Sequence, residues 1–287
     1  MSINDEMDIL KDLIDGELDK LYISENSYNK TIYEAMRYSL LSGGKRIRPI
    51  LLIKSCELTG GTIEEAMPFS LAIEMIHTYS LIHDDLPAMD DDYFRRGKPS
   101  NHIVFGEGIA VLAGDGLLNT AYEMIIDHIV QLNHKGYNTK KYLMAFQEIC
   151  GGAGTNGMIG GQVVDILSEN IVTNIDTLKY MYRHKTSSLI IASIVAGGVL
   201  GGGTDEEIDS LRQYGEAIGM MFQIRDDMLD IDSDECKITY LNFHSTSEAK
   251  EELIKLGDNA IKALKPFDNE EVDFFKNFAY YLISRNN

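Results

Sequence analysis

Two clusters of aspartate constrain the fold of this chain more than any other feature. They lie far apart in the sequence, as Asp84-Asp85-x4-Asp90 and Asp226-Asp227-x2-Asp230. Each cluster ends an otherwise apolar stretch with helical spacing, and like charges in apolar surroundings are costly unless they are paired or bind metal. The pattern therefore predicts one polycation site to which two distant helices contribute.

Length and charge set the broad class of the protein. The chain has 287 residues, of which 44% are hydrophobic, so we expect a single domain over residues 1–287 with a sizeable core. The formal net charge is −19, whereas a protein that binds nucleic acid normally presents a basic face. This acidity argues against a nucleic-acid partner and makes local basic clusters more informative.

Three features of the sequence predict a cytoplasmic protein without a membrane span. The N-terminus is acidic and lacks the basic start and apolar core of a signal peptide. The longest uncharged run, residues 186–204, has 19 residues and is rich in Gly and Ser, and we expect it to form a buried core helix rather than a membrane span. Three cysteines without metal-like spacing fit a reducing compartment.

Helical periodicity recurs along the chain, and no segment alternates as a β-strand does. We predict about ten helices, among them one that Pro68 opens and that runs to Asp85. Thr204 and Glu207 have the spacing of a capping box, which starts a helix at residues 206–230. The sequence thus predicts an all-α fold with a core large enough to enclose a cavity.

The spacing of the second aspartate cluster predicts a metal site. Asp226 and Asp230 are four positions apart, so their side chains lie about 40° apart on one helix face. Carboxylates are ligands that Mg²⁺ prefers, and the ion usually bridges them to substrate phosphates. A solvated acidic helix end would show the same spacing, but the apolar residues at 218–224 favour a metal site.

Pro87 sets the expected geometry of the first cluster. Asp84 and Asp90 are six positions apart, which would place them on different faces of a continuous helix. Pro87 has no N–H to donate, and it disfavours helical geometry at Leu86. We therefore expect the chain to bend until Asp90 returns toward Asp84.

Two basic clusters stand out against the acidic composition. They are Gly43-Gly44-Lys45-Arg46-Ile47-Arg48-Pro49 and Arg95-Arg96-Gly97-Lys98-Pro99. Arginine matches phosphate oxygens through two parallel N–H bonds, and lysine acts as a point charge. Cations for phosphate beside carboxylates for Mg²⁺ predict diphosphate chemistry, in which metal ions neutralise charge on a leaving diphosphate.

With these residues the chain resembles the trans-type polyprenyl diphosphate synthases, and among them the farnesyl diphosphate synthases of bacteria. Besides the basic and aspartate clusters, four matching motifs occur in the family's order: His77-Thr78-Tyr79-Ser80-Leu81-Ile82-His83, Gly160-Gly161-Gln162, Arg183-His184-Lys185-Thr186 and Phe222-Gln223-Ile224-Arg225. Any one of them is a weak signal, but the set is specific and spans most of the chain.

The resemblance implies the isoprenoid synthase fold, an all-α bundle around a deep central cavity, in a homodimer. It implies that an allylic diphosphate, dimethylallyl or geranyl, condenses head to tail with isopentenyl diphosphate. In the family, three Mg²⁺ ions join both aspartate motifs to the allylic diphosphate. By position the implied metal ligands are Asp84, Asp85, Asp90, Asp226, Asp227 and Asp230.

The resemblance also assigns the substrate contacts. Arg95 corresponds to the contact with the allylic diphosphate. Isopentenyl diphosphate is expected on Lys45, Arg48, His77 and Arg96.

The implied catalytic and substrate-binding residues near the reacting carbon are Lys185, Thr186 and Gln223, which place oxygens or positive charge near the allylic cation and its leaving group. Loss of diphosphate leaves the cation. The double bond of isopentenyl diphosphate then attacks it, and the released diphosphate takes the proton.

Product length is expected to depend on Tyr79 and Ser80 in the helix that leads to Asp84. Tyr79 lies about 7.5 Å down the helix from Asp84, and Ser80 lies one turn below it. In the family, a bulky aromatic at this position and a two-residue insertion near Ala88-Met89 accompany a fifteen-carbon product. We therefore expect Tyr79 to form part of the floor of the tail pocket and the product to be farnesyl diphosphate.

The chain departs from the family pattern after the second aspartate motif. The usual loop carries a Gly-Lys, a further Gly and Asp, and then Gly-Lys-Ser/Thr-Thr-Tyr-Pro. Here Asp230 is soon followed by Lys237-Ile238-Thr239-Tyr240, so the first Gly-Lys, about ten residues and the Pro are absent. Either the loop is short in this protein or part of it is missing from this sequence, which leaves the role of Lys237 open.

Other functions stay open on the sequence alone. A geranylgeranyl diphosphate synthase would share the motifs and differ in product. A non-catalytic prenyl synthase subunit usually loses the aspartate motifs, which are kept here, but the missing loop fits that alternative. A class I terpene cyclase replaces the second motif with an Asn/Ser/Glu triad, and an acidic helical scaffold leaves the two basic clusters unexplained.

Overall fold

The computed structural model describes residues 2–21, 28–171, 174–229 and 238–284, and in these residues the protein is almost entirely helical. The α-helices are α1 (Ile3–Asp19), α2 (Lys30–Leu40), α3 (Ile47–Leu58), α4 (Ile63–Asp84), α5 (Asn101–Phe105), α6 (Glu107–His134), α7 (Lys140–Ala153), α8 (Met158–Ile171), α9 (Ile175–Met181), α10 (Ser188–Gly201), α11 (Asp205–Leu229), α12 (Thr246–Ala263) and α13 (Val272–Ser284). A π-helical turn, Tyr182–Ser187, joins α9 to α10, and a short hairpin pairs β1 (Phe94–Arg95) with β2 (Lys98–Pro99). The predicted all-α fold class is confirmed.

The chain divides into two compact units. The first comprises Met1–Ile50 and Met67–Thr139, and the second comprises Leu51–Ala66 and Lys140–Asn287. The first aspartate cluster belongs to the first unit and the second cluster to the second unit. The single domain expected over residues 1–287 stays a prediction.

In the first unit, α2 packs against α6, and α5 packs against both. Helix α1 buries one face through Leu10, Ile14 and Leu18, which follow helical spacing. Ser2 and Asp5 form a capping box at its start, so the first turn has its backbone donors satisfied. The unit thus has its own apolar core, to which α4 contributes Phe69 and Ile76.

In the second unit, α10 is the central helix and packs against α7 and α11. Nearly all of its residues are buried, so it has no polar face. This helix lies within the uncharged run at 186–204, and the predicted core helix is confirmed. Helices α12 and α13 pack against α11 and complete the core.

Two helical segments in the described part of the chain are long and apolar enough to cross a membrane by length and composition alone. They are Glu107–His134 and Ile175–Gly201, and 61% of the apolar window of the second is buried within the protein. Buried core helices meet the same criterion of length and composition.

Helix α4 begins earlier than the sequence predicts. We expected the helix to open at Pro68, but it begins at Ile63. Thr62 and Glu65 cap it reciprocally, because Glu65 N donates to Thr62 Oγ1 (3.3 Å) and Thr62 N donates to Glu65 Oε2 (3.2 Å). Pro68 therefore lies inside the helix, where its missing N–H leaves the Glu64 carbonyl without the usual helical donor.

Gly161 permits a close approach between α8 and the π-helical turn. A Cβ at this position would lie 2.0 Å from the backbone nitrogen of Lys185, which is closer than the two atoms can approach. The turn carries Lys185 and Thr186, so this contact fixes the backbone of two predicted catalytic residues.

Gly161→Ala is expected to destabilise the protein by about 1–3 kcal/mol, because the added methyl group must push α8 away from the turn. The matched control is Gly151→Ala in α7, where a Cβ meets nothing within 4 Å. That control is expected to gain up to about 1 kcal/mol from helix propensity. Urea denaturation of both variants gives the two free energies of unfolding, and equal changes would contradict the close packing.

Candidate functional site

The first aspartate motif folds back on itself as the position of Pro87 predicts. Helix α4 ends at Asp84, and the chain then turns so that Asp90 N donates to the Asp84 carbonyl (2.9 Å). Asp91 N donates to the Leu86 carbonyl (3.2 Å) and closes the same turn. Asp84 and Asp90 are thus neighbours at the helix end, although a continuous helix would separate them.

Asp85 is buried and paired with Arg95. Arg95 Nε donates to Asp85 Oδ1 (2.9 Å), Arg95 Nη2 donates to the same oxygen, and Arg95 Nη2 also reaches Asp92 Oδ2 (3.0 Å). Burial raises the pKa of the Asp85 carboxyl, and the bonds from Arg95 act against that rise. The pair fixes Arg95 on the short hairpin, and the metal role of Asp85 and the allylic contact of Arg95 stay predictions.

The predicted contacts for isopentenyl diphosphate converge in the first unit. Arg48 Nη1 lies 3.4 Å from His77 Nε2, and Arg96 donates through Nη1 to the Gly43 carbonyl. Lys45 is exposed beside them. Burial and the nearby guanidinium groups, first that of Arg48, hold the pKa of His77 well below its usual value, so its ring is neutral at neutral pH.

Tyr79 is buried on α4 and faces α6. Its ring packs edge-on against His83, with centroids 5.7 Å apart, and His83 Nε2 lies 3.0 Å from the Val111 carbonyl of α6. Burial raises the pKa of Tyr79 to about 12, with smaller contributions from Tyr122 and Asp84. The ring is therefore buried about one and a half turns below Asp84, in contact with His83.

Ser80, the second residue expected to affect product length, is half-buried. Its hydroxyl donates to the His77 carbonyl (2.9 Å) within the same helix. The hydroxyl is thus satisfied locally, which ties its rotamer to the backbone of α4.

In the second unit, the second aspartate motif lies at the end of α11. Asp227 is buried, and its carboxylate accepts hydrogen bonds from Tyr182 Oη, from Tyr240 N (2.7 Å) and from Gln223 Nε2 (3.2 Å). Asp226 is half-buried on the same helix. Both carboxylate oxygens of Asp227 therefore have donors from the protein, and its metal role stays a prediction.

The predicted ligand Asp230 and the weak candidate Lys237 lie outside the described residues. The loop between them, whose length departs from the family pattern, lies there too.

The predicted catalytic residues of the second unit form one hydrogen-bonded group. Thr186 Oγ1 donates to Gln223 Oε1 (2.9 Å), and Gln223 in turn donates to Asp227. Lys185 forms an ion pair with Asp165 of α8. The π-helical turn gives Lys185 and Thr186 their positions, and π-helical insertions are frequent at functional sites.

Sequence reasoning missed three residues that bind predicted site residues or their neighbours within the two units. Asp165 pairs with Lys185, Tyr182 binds Asp227, and Glu74 binds Arg46. One signal could have found Glu74, because it is a lone carboxylate in the apolar run of residues 71–76, and a buried charge needs a partner. The sequence signal for Asp165 is its position one helical turn beyond Gln162, which belongs to one of the family motifs.

The donor set suits Mg²⁺ with substrate rather than a metal held by the protein alone. Among the described residues, no group of three or more His, Cys, Asp or Glu side chains is placed to hold a metal ion. Mg²⁺ usually takes one or two carboxylates and completes its shell with water and substrate phosphates. Asp84 and Asp90 meet at the end of α4 through their backbones, and their role as Mg²⁺ ligands stays a prediction.

Tyr182→Phe is expected to lower the free energy of unfolding by about 1–3 kcal/mol, because the buried Asp227 carboxylate loses a donor. The matched control is Tyr180→Phe two residues earlier, where the tyrosine is 49% exposed and no such loss is expected. Urea denaturation compares the two variants. A loss no larger for Tyr182→Phe than for the control would show that the hydroxyl does not support Asp227.

Comparison with known proteins places the chain in a family. The polyprenyl synthetase family model matches residues 29–240. The heterodimeric geranylgeranyl pyrophosphate synthase large subunit 1 of Arabidopsis thaliana is 44% identical over 273 residues, 89% of this chain and 72% of that protein. The geranylgeranyl diphosphate synthase of Cyanophora paradoxa is 40% identical over 287 residues, with 92% and 94% covered. The apo crystal structure of an FPP/GFPP synthase from Zymomonas mobilis matches with a TM-score of 0.88 and 33% identity, over 98% of this chain and 99% of that one. This chain belongs to the polyprenyl synthetase family of prenyltransferases.

Proposed function

We propose that this protein condenses isopentenyl diphosphate with dimethylallyl or geranyl diphosphate and releases farnesyl diphosphate. The observation that carries the proposal is the position on α4 of His77, which lies beside Arg48, and of Asp84. His77 and Asp84 are seven residues apart, so they share one helix face about 10 Å apart. The cations around His77 suit one diphosphate, and the carboxylates at Asp84 suit the Mg²⁺ ions of another.

In this proposal, Arg48, His77 and Arg96, with Lys45, hold isopentenyl diphosphate. The low pKa of His77 keeps the free ring neutral, and the guanidinium groups supply the charge that attracts the anion. Arg95 contacts the allylic diphosphate, and Asp85 holds its guanidinium in place.

By the resemblance, Asp84 and Asp90 of the first unit and Asp226 of the second would be the main Mg²⁺ ligands, and Asp85, Asp227 and Asp230 are further candidate ligands. When bound, Mg²⁺ neutralises the charge that develops on the leaving diphosphate. The carboxylates contribute hard oxygen ligands that suit this ion.

Thr186 and Gln223 would stabilise the allylic cation in this mechanism. The Thr186 hydroxyl donates a hydrogen bond to Gln223 Oε1. The lone pairs of the Thr186 oxygen therefore stay available to an electron-poor carbon. Lys185 adds a positive charge whose position Asp165 fixes, suited to the departing diphosphate. The homodimer and the cytoplasmic location stay predictions.

Tyr79 supports the fifteen-carbon product over the alternative of geranylgeranyl diphosphate. Its ring is 6% exposed and packs edge-on against His83, so a growing chain that reached it would meet a buried aromatic ring. The alternative rests on the relatives named as geranylgeranyl synthases. A non-catalytic role beside another subunit is a third candidate, since one relative is named as a subunit of a heterodimer.

With Mg²⁺, isopentenyl diphosphate and geranyl diphosphate, the protein is expected to give farnesyl diphosphate as the main product. Asp84→Asn and Asp226→Asn are each expected to lower kcat roughly a hundredfold or more, because each loses a charged ligand for the metal. Asp91→Asn is the matched control, since Asp91 is exposed and its left-handed φ of 53° suits asparagine.

Chromatography of the dephosphorylated products, with and without a chelator, provides the measurement. Absence of any condensation product from the wild-type protein would favour the non-catalytic subunit. A twenty-carbon main product would establish the geranylgeranyl alternative.

Tyr79→Ala is expected to shift the main product from fifteen to twenty carbons, because the deleted ring opens room for one further isoprene unit. Tyr79→Phe is the control, since it keeps the ring and loses only the hydroxyl, and it should keep the fifteen-carbon product. The same chromatography compares the two variants. Unchanged chain length in Tyr79→Ala would remove Tyr79 from the wall of the tail pocket.

A further inference from the structure

Arg46 differs from the other cations of its basic cluster. It lies in the turn between α2 and α3, between Lys45 and the first residue of α3. Its φ is 50°, in the left-handed region that side chains other than those of Asn and Asp rarely adopt. Such a conformation persists only where the surroundings over-determine it, and it is frequent at ligand-binding sites.

The side chain of Arg46 points into the first unit and is only 1% exposed. Three helices supply its acceptors. Nε donates to Asp15 Oδ1 of α1 (2.8 Å), Nη1 to Glu74 Oε1 of α4 (2.5 Å) and Nη2 to the Leu40 carbonyl at the end of α2 (2.7 Å). Each of the three nitrogens of the guanidinium group thus donates a hydrogen bond within the protein.

Glu74 makes this burial possible. Its side chain is 2% exposed, so the two opposite charges are removed from water together. A buried charge without its partner would be strongly destabilising, and the pair therefore behaves as one unit. The charge of Arg46 is thus paired within the protein with those of Glu74 and Asp15.

The other two cations of this cluster, Lys45 and Arg48, are not held by this buried ion pair. Lys45 is exposed, and Arg48 lies 3.4 Å from His77. Gly44 lies directly against Arg96, because a Cβ at this glycine would be 2.7 Å from Arg96 Cζ. The conformation of the turn therefore decides where these cations lie relative to one another.

We propose that Arg46 is a positioning residue, which with Glu74 holds the turn so that Lys45, Arg48 and Arg96 bind one diphosphate together. It does not itself contact the anion. The identity of that anion as isopentenyl diphosphate rests on the proposed function, whereas the anchoring of the turn does not. The guanidinium fork is needed, because a lysine carries a single point charge that cannot bridge three acceptors in a plane.

The first test is the binding of inorganic diphosphate, measured by calorimetry in the presence of EDTA so that no metal site contributes. Arg46→Lys is expected to weaken binding roughly 10- to 100-fold, since displacement of binding groups by about 1 Å has effects of this size. Arg37→Lys is the matched control. Arg37 also makes three hydrogen bonds, to the Asp19 carbonyl and carboxylate and to the Leu21 carbonyl, but it lies outside the turn. Equal affinity of Arg46→Lys and wild type would overturn the proposal.

A second variant keeps the test decisive if Arg46→Lys fails to fold. The double substitution Arg46→Met with Glu74→Leu removes both buried charges, so neither is left without a partner. It is expected to melt cooperatively by circular dichroism and still to bind diphosphate at least tenfold more weakly than wild type. Wild-type affinity in this folded variant would refute the positioning role.

Steady-state kinetics separates positioning from general destabilisation. Arg46→Lys is expected to raise KM for isopentenyl diphosphate roughly tenfold or more, while KM for the allylic diphosphate stays within about twofold. A variant that is merely less stable would lower kcat and leave both KM values unchanged, and that result would count against the proposal.

The proposed function and this inference can fail separately. Wild-type protein that binds diphosphate in EDTA but forms no condensation product would refute the proposed function, and a weaker affinity of Arg46→Lys would still support the positioning role. Wild-type protein that binds no diphosphate in EDTA would refute the inference, because there would be no anion site for Arg46 to organise.

Discussion

The pairing of buried charges is the constraint on which the rest of the structure depends. An unpaired buried ion is penalised by several kcal/mol, so each buried charge must have a defined partner. Arg95 meets Asp85, Glu74 meets Arg46, and Tyr182 donates to Asp227. In both aspartate motifs the second carboxylate is engaged by the protein and the first is only half-buried. Each motif therefore combines a buried, hydrogen-bonded carboxylate with a more accessible one, so its two adjacent aspartates are not equivalent.

Backbone strain lies in the same segments as these charges. Among the described residues, the non-glycine positions with positive φ are Arg46, Asp91 and Arg96. Arg46 is held by its buried ion pair, and Arg96 by its bond to the Gly43 carbonyl. Strained conformations of this kind persist because surrounding contacts fix them, and they cluster where ligands are clamped. The backbone at the two basic clusters is thus fixed by contacts within the protein itself.

Family membership rests on similarity along most of the chain, whereas the proposed product length rests on a single residue. The relatives match across nearly all of it, which reflects a shared core and shared diphosphate chemistry. Product length, by contrast, is proposed to depend on the depth of one pocket, and the proposal assigns that depth to a single ring, that of Tyr79. Relatives that are named for a twenty-carbon product therefore support the reaction more strongly than they support the product of this protein.

The sequence by itself determined what depends on neighbours a few residues away. The bend at Pro87, the capping box of Thr204 and Glu207 and the buried run of α10 all follow from local sterics, hydrogen bonds and hydrophobicity. Only the tertiary structure decided which cations turn inward. Arg46, Arg48 and Lys45 are alike in sequence, but Arg46 meets Glu74, 28 positions along the chain, and Asp227 meets Tyr182, 45 positions away. No local pattern encodes such a pairing, because it exists only after separate helices have packed together.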